Sequence, residues 1–526
     1  MNTVRKYPVG IQTFSEIRKG NYVYIDKTDL VWEITRLKYV FLSRPRRFGK
    51  SLLTTTLASY FRGQKELFEG LKIMALETEW EQYPVIHVDL STAAYGPTKE
   101  VLRQSLLLLL SREASKHGLM LDERYPGIVL ASLIRQVFMQ TGKQVVLLID
   151  EYDAPLLAVL GDKQRYHDYL EVMLEFFCPL KGSESMLRFC FITGVTAFPE
   201  PATFASFINL SDISLNPRYA SICGITENEL RETMDEDIEL AAASNDYAKE
   251  ELYRQLKLYY GGYHFARNSL EIYNPHCLMD FATSQMFQSY WFSSFLPSLI
   301  YNHLNLFKTN LNELCHDEFD DFTFYQYREQ TESALPLLYH GGYLTIEDYD
   351  RISDSYILSV PNSEVYTDLL YGQTPLVTGL DPNFVHVNFA KKFWLSLKKN
   401  DLDTAMQEMK AFLAGIPYVE GFKEKLKDVK NFEGFYEYTF WLIFNMLNVY
   451  ARTQVKCANG RIDFVVEMPD TTYVFELKVN GTAQEALNQI NSKHYALPYY
   501  TEGRNVVKVG TAFERETMTV QEWIVE

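Results

Sequence analysis

The chain has 526 residues; at roughly 100 to 200 residues per domain this excludes a single small binding module and implies at least two domains. Hydrophobic residues make up 47% and charged residues 23%, with 14% aromatics, a globular balance that excludes a disordered or collagen-like chain. The net charge of −17 excludes a surface that is polycationic throughout, so any nucleic-acid contact must be local.

The opening MNTVRKYPVGIQ lacks the apolar core of a signal peptide, and aliphatic runs such as Leu106 to Leu110 fall far below the ~18 residues of a membrane span. The six cysteines form no CxxC pair, which argues against a disulfide framework or a structural zinc site. A soluble, cytoplasmic protein with no membrane partner is expected. Between about 31 and 225, the apolar runs YVFLS (39–43), YPVIHVDL (83–90), QVVLLID (144–150) and RFCFITG (188–194) alternate with segments of helical length. Continuous apolar strands are covered on both faces, so the pattern predicts an α/β fold with a doubly wound parallel sheet, whose ligands gather at the strands' carboxyl ends. From ITENELRETMDEDIEL to about 420 the sequence reads as mostly helical and acidic, broken by Gly261-Gly262, by Asn274-Pro275-His276 and by a hairpin region around 340–390. Residues 421–526 form a separate α/β unit: the helix FEGFYEYTFWLIFNMLNVY, the strands GRIDFVVEM and TYVFELKV, the helix TAQEALNQINSKHY and the strand NVVKVGTAF. The expected organisation is an α/β core over 1–225, a helical lid over 226–300, a mainly helical connecting region over 301–420 and the separate α/β domain over 421–526.

After the first core strand, RPRRFGKSLL ends in Gly49, Lys50 and Ser51, matching the close of GxxxxGK[ST], with Arg44 at the position of the first glycine. In a P-loop the backbone amides and the helix N-terminus wrap phosphates, the lysine reaches the outer phosphates and the hydroxyl ligates magnesium. Alone, the run equally fits a basic turn before an amphipathic helix. A hundred residues later VVLLIDEYD places Asp150 and Glu151 at the end of an apolar strand, with Asp153 as an additional nearby carboxylate. This reads as a Walker B pair expected on the strand beside the P-loop, Asp150 holding the magnesium shell and Glu151 polarising the attacking water. Thr193, ending the next strand, is a candidate sensor of water or terminal phosphate. Residues 31–65 hold eight basic residues and one acid, whereas 421–526 hold twelve basic and fourteen acidic, so charge favours phosphate at the first site more than at the tail. The lysines 423, 425, 427 and 430 are the tail's exception and equally read as one solvated helix face.

The segments PVGIQTFSEIRKGNYVYIDKTDLV, FLSRPRRFGKSLL, VVLLIDEYDAPL, ITGVTAF, CGITENEL, YYGGYHF and YNP resemble the AAA-ATPase-like proteins that carry a C-terminal PD-(D/E)xK nuclease-like domain. In that family RPRRFGKS is the usual P-loop, and the resemblance implies an ASCE-type P-loop NTPase whose nucleotide-binding residues are Arg46, Arg47, Phe48, Gly49, Lys50, Ser51, Leu52, Asp150 and Thr193. In the tail, Asp463 precedes Glu476-Leu477-Lys478 by one hairpin. Strand alternation sends Glu476 and Lys478 to one face, and pairing can bring Asp463 to them. A bare D…ExK also fits a solvent-facing hairpin with a cross-strand salt bridge. The resemblance adds an upstream helical acid, Glu433 with Glu437 competing, and Gln489 on the following helix as a further catalytic candidate. Ser51, Asp150, Asp463 and Glu476 are the expected Mg2+ ligands and ATP the expected nucleotide. The expected function is an ATPase joined to a metal-dependent nuclease acting on nucleic acid, DNA before RNA, and able to form a homo-oligomer. The alternative is an NTP-regulated scaffold whose nuclease-like domain binds without cleaving.

Overall fold

A computed structural model describes residues 5–121, 124–197, 210–290, 318–319, 335–378, 389, 391–415, 450–457, 459–468, 470–502, 504–514 and 519–526. The chain divides into two compact units, Met1–Tyr366 and Thr367–Glu526.

In the first unit, helices α1 (Phe14–Lys19) and α2 (Thr28–Ile34) precede strand β1 (Tyr39–Ser43), whose five residues are all buried. Helix α3 (Lys50–Phe61) follows directly. Strand β2 (Val85–Asp89) leads through helices α4 (Lys99–Lys116) and α5 (Pro126–Thr141) to β3 (Val145–Asp150), again wholly buried. Helix α5 starts on Pro126, whose missing N–H is not needed at a helix start, and stops at the left-handed Gly142. Helices α6 (Ala154–Leu157) and α7 (Lys163–Phe177) then return the chain to β4 (Leu187–Gly194), and the two-residue β5 (Ser211–Asp212) completes the sheet. The order is β2-β3-β4-β1-β5 with parallel pairing throughout. One expectation needs correction here: the strand carrying Asp150 and Glu151 is not beside the P-loop strand, because β4 lies between them. The ends of β1, β4 and β3 therefore form one row.

A two-stranded sheet pairs β6 (Ile225–Thr226) with β7 (Ile272–Tyr273). Between and after these strands lie α8 (Glu227–Ser244), α9 (Lys249–Tyr260) and α10 (Pro275–Ser284). A reciprocal capping box between Thr226 and Glu229 starts α8, and Asn274 caps α10 by accepting from the amides of His276 and Cys277. Their apolar stripes, including Leu230, Met234, Ile238, Leu252, Leu256 and Tyr260, share one core. After α11 (Leu335–Gly341), the expected hairpin is present as β9 (Thr345–Asp350) and β10 (Ser355–Ser359), with the short β8 (Glu318–Phe319) on the other side of β10. Helix α12 (Ser363–Thr378) runs across the division between the units.

The second unit continues with α13 (Lys391–Lys398) and α14 (Leu402–Ala414). Its sheet is β11 (Tyr450–Cys457), β12 (Gly460–Glu467), β13 (Thr471–Val479), β14 (Asn505–Glu514) and β15 (Thr519–Val525), in that order. The β13–β14 pair is parallel and the other pairs are antiparallel. A parallel pair requires a crossover, supplied by α15 (Ala483–Ser492), which opens on a Thr482–Glu485 capping box. Helix α15 lies so close to β14 that a Cβ at Gly510 would collide with the carbonyl of Ala483 and the amide of Leu487. The helix expected upstream of β11, with Glu433 and Glu437, and the four-lysine cluster lie outside the described residues.

Candidate functional site

In the first unit the chain leaves β1 into the turn 44–49 and enters α3 at Lys50. Gly49 has φ 96°, and since a Cβ there would meet nothing within 4 Å, glycine is favoured for its dihedral angle rather than for space. Arg47 also has positive φ, 67°. Lys50 is 3% exposed, and its Nζ lies 3.3 Å from the Pro45 carbonyl and 3.2 Å from Glu151 Oε1. The Ser51 hydroxyl stands beside the Asp150 carboxyl and favours its charged form. Burial and the neighbouring Glu151 push the Asp150 carboxyl up to about 7, against the opposing pull of Ser51 and Lys50. The turn between β1 and α3 thus meets the end of β3 across the intervening β4, with a lysine, a hydroxyl and two carboxylates at one point.

These groups border a cleft of about 450 Å3 whose floor includes Gly49, Lys50, Ser51, Leu52 and Glu151. Its remaining walls were not assigned from sequence: the segment Pro8–Gln12, and Pro275, His276 and Met279 from the start of α10. The Asn274-Pro275 pair was a legible helix start, but nothing local says that this helix faces the P-loop. Arg47 reaches the same wall and donates to the Tyr290 carbonyl. Arg46 is half-buried. Phe48 packs edge-on against Tyr263 and Phe265, anchoring the loop to the segment before β7. Thr193 is fully buried and donates its hydroxyl to the Leu42 carbonyl at 2.7 Å, bracing β4 against β1. Arg44, in place of the usual glycine, points inward: it is 2% exposed, donates to the carbonyls of Ser43, Ser214 and Tyr219, and lies over the Phe265 ring.

In the second unit, the β12–β13 register pairs Phe464 with Phe475 and sets Asp463 beside the ExK run. Asp463 Oδ2 accepts the Leu477 amide at 2.9 Å. Glu476 is 1% exposed; its Oε1 accepts from Gln489 Nε2 and stands 3.5 Å from Lys478 Nζ. Its Oε2 is buried with no hydrogen-bond partner among the described residues. Desolvation, reinforced by Asp463 and opposed by Lys478, pushes the Glu476 carboxyl up to about 8. Of the residues singled out in the tail, Asp463, Glu476, Lys478 and Gln489 therefore converge, Gln489 by way of α15. A partnerless buried oxygen beside a second carboxylate suits a hard, oxygen-seeking cation such as Mg2+, which completes its shell with water or substrate oxygens. Among the described residues no group of three His, Cys, Asp or Glu side chains converges to hold a metal.

Residues 8–204 match the family described as "Predicted AAA-ATPase", and residues 431–523 match the PD-(D/E)XK nuclease superfamily. The chain therefore carries an AAA-ATPase-like region and, after it, a PD-(D/E)XK nuclease-superfamily region. Over 531 aligned residues it is 29% identical to the "Uncharacterized protein in vnfD 5'region" of Azotobacter chroococcum mcd 1, covering 99% of each. Among solved structures, Drosophila ORC bound to poly(dA/dT) DNA and Cdc6 aligns with 84% of this chain and 70% of its own, at 11% identity and a TM-score of 0.25. Among the described residues, no helix is long and apolar enough to cross a membrane.

Proposed function

We propose that the protein binds and hydrolyses ATP in its first unit and cleaves phosphodiester bonds of nucleic acid, DNA before RNA, in its second, with Mg2+ at both sites. The observation that carries this reading is a recurrence: each unit brings one lysine and two carboxylates together from two separate chain segments, Lys50 with Asp150 and Glu151, and Lys478 with Asp463 and Glu476. In the first unit Lys50 and the first-turn amides of α3 take the outer phosphates, Ser51 and Asp150 hold the cation, and Glu151 polarises the attacking water. Lys50 must then exchange its contact with Glu151 for phosphate, which frees the carboxylate for water. In the second unit Asp463 and Glu476 hold Mg2+, which when bound supplies Lewis acidity toward water and the scissile phosphate. Gln489 fixes the Glu476 carboxylate. Lys478, whose side chain is 31% exposed, is accessible enough to meet substrate and offset developing negative charge.

The proposed organisation keeps the core at 1–225, the lid at 226–300, the connecting region at 301–420 and the nuclease-like domain at 421–526, in a cytoplasmic protein able to self-associate. The test is ATP turnover together with cleavage of single- and double-stranded DNA and RNA, each with and without ATP and Mg2+. Turnover and metal-dependent cleavage are expected. Turnover without cleavage of any substrate would return the protein to a nucleotide-regulated scaffold.

A further inference from the structure

Asp153 lies three residues beyond β3 and is 1% exposed, yet among the described residues it forms no ion pair with a basic group. Its carboxylate is instead satisfied by the chain leaving β4. Both oxygens lie 3.1 Å from the Val195 amide, and Oδ2 also accepts the Thr196 amide and hydroxyl, each at 2.6 Å. The approach depends on Gly194, where a Cβ would sit 2.5 Å from Asp153 Oδ1 and from the Tyr152 ring. Tyr152 adds two more ties, its amide to the Thr193 carbonyl at 3.0 Å and its hydroxyl to the Thr196 carbonyl at 3.3 Å.

Just before this clamp stands Glu151, with φ 48°. The left-handed region is disfavoured for a residue with a Cβ and persists where the surroundings impose it. On one side the Glu151 amide donates to Asp150 Oδ1 at 3.0 Å; on the other, Tyr152 and Asp153 are fastened to the exit of β4. The result is a Glu151 carboxylate directed at Lys50. Asp153 is poorly suited to ligate a cation itself, because both of its oxygens already face N–H or O–H donors.

We propose that Asp153 is a positioning residue for ATP hydrolysis: by gripping Val195 and Thr196 it holds the turn that aims Glu151 into the phosphate cleft. The inference rests on the ATPase reading of that cleft. It predicts a split between chemistry and binding, since the Asp153 carboxylate itself touches only the Val195–Thr196 segment, whose link to the P-loop is one backbone bond, from the Arg44 amide to the Gly194 carbonyl at 3.1 Å. In the full-length protein, Asp153→Asn, which places an amide N–H among donors, should lower kcat for ATP by about tenfold or more while KM and equilibrium ATP affinity stay within about twofold. Thr196→Val removes one of the four hydrogen bonds and should lower kcat less, again with affinity kept; it carries the test if Asp153→Asn does not fold. Loss of affinity in step with turnover would make the clamp merely structural, and unchanged kcat in a folded variant would overturn the proposal outright. Absence of ATP turnover in the wild type would instead remove the ATPase reading and the inference with it.

Discussion

Replacing Glu476 by Gln removes a buried charge while keeping the side chain's shape, and its effect on stability follows from the sign of the carboxyl's displacement. The folded protein holds the Glu476 proton up to about pH 8, whereas an ordinary glutamate releases it near 4.5. Between those values the unfolded chain binds fewer protons than the folded one, so stability falls as pH rises; the contribution is full below about pH 4.5 and lost through pH 8. At about 1.4 kcal/mol per pH unit the whole span is a ceiling of about 5 kcal/mol, of which roughly half falls between pH 6 and pH 9. Glu476→Gln abolishes this dependence, and its Oε1 can still accept from Gln489. Urea unfolding of wild type and variant, followed by intrinsic fluorescence at pH 6 and pH 9 without divalent metal, should therefore show the variant gaining about 2–3 kcal/mol on the wild type between the two pH values. Comparison within the pair cancels titrating groups that do not interact with Glu476, Asp150 among them. Mg2+ at pH 9 should restore the wild type and leave the variant unmoved. Parallel pH profiles for the two proteins would refute the placement at 476 of a buried carboxylate with an oxygen unpartnered among the described residues.

Three further outcomes follow from the same geometry. Lys50→Ala should lose most ATP binding, read by a fluorescent nucleotide, whereas Glu151→Gln should keep it and lose turnover by about a hundredfold; equal behaviour of the two would contradict their separate assignments. Gly510→Ala should displace α15 and with it Gln489, lowering thermal stability by an amount on the order of 1–3 kcal/mol and reducing cleavage together; a variant with wild-type stability would show that the close approach is not tight. ATP should slow hydrogen exchange over Glu227–Ser284 if those helices close on the cleft that Pro275, His276 and Met279 already line; identical exchange with and without ATP would make them a fixed wall.

The strands of the first unit were legible because β1, β3 and β4 are buried on both faces and so read as unbroken apolar runs. Their order was not, since the insertion of β4 between β1 and β3 depends on crossover paths that leave no local pattern. In the second unit β12, β13 and β14 were found from shorter apolar stretches, Phe464–Val466, Tyr473–Phe475 and Val506–Val507, while the flanking strands escaped: YARTQVKC (β11) and TVQEWIV (β15) mix polar and apolar residues, as sheet edges do. Catalytic candidates marked by strand ends and short motifs, such as Lys50, Glu151, Asp463 and Glu476, were visible as residue types at characteristic spacing. Residues acting through packing were not: Arg44 read as a departure from a phosphate loop and proves to be an internal brace, and Asp153 read as one more acid near the metal and proves to be gripped by Val195 and Thr196. The Pro8–Gln12 wall of the cleft lies some forty residues from the P-loop in sequence, and only the fold joins them.

The central claim is that Asp463, Glu476 and Lys478 perform Mg2+-dependent phosphodiester cleavage, and single-turnover cleavage by wild type, Asp463→Asn, Glu476→Gln and Lys478→Ala tests it most directly when Mg2+ affinity is measured on the same proteins. The account predicts wild-type cleavage that falls by a hundredfold or about 3 kcal/mol in every variant, with Mg2+ affinity lost in the first two and largely kept in Lys478→Ala. Cleavage at the wild-type rate by all three variants, or no cleavage by the wild type on any DNA or RNA substrate, would contradict it.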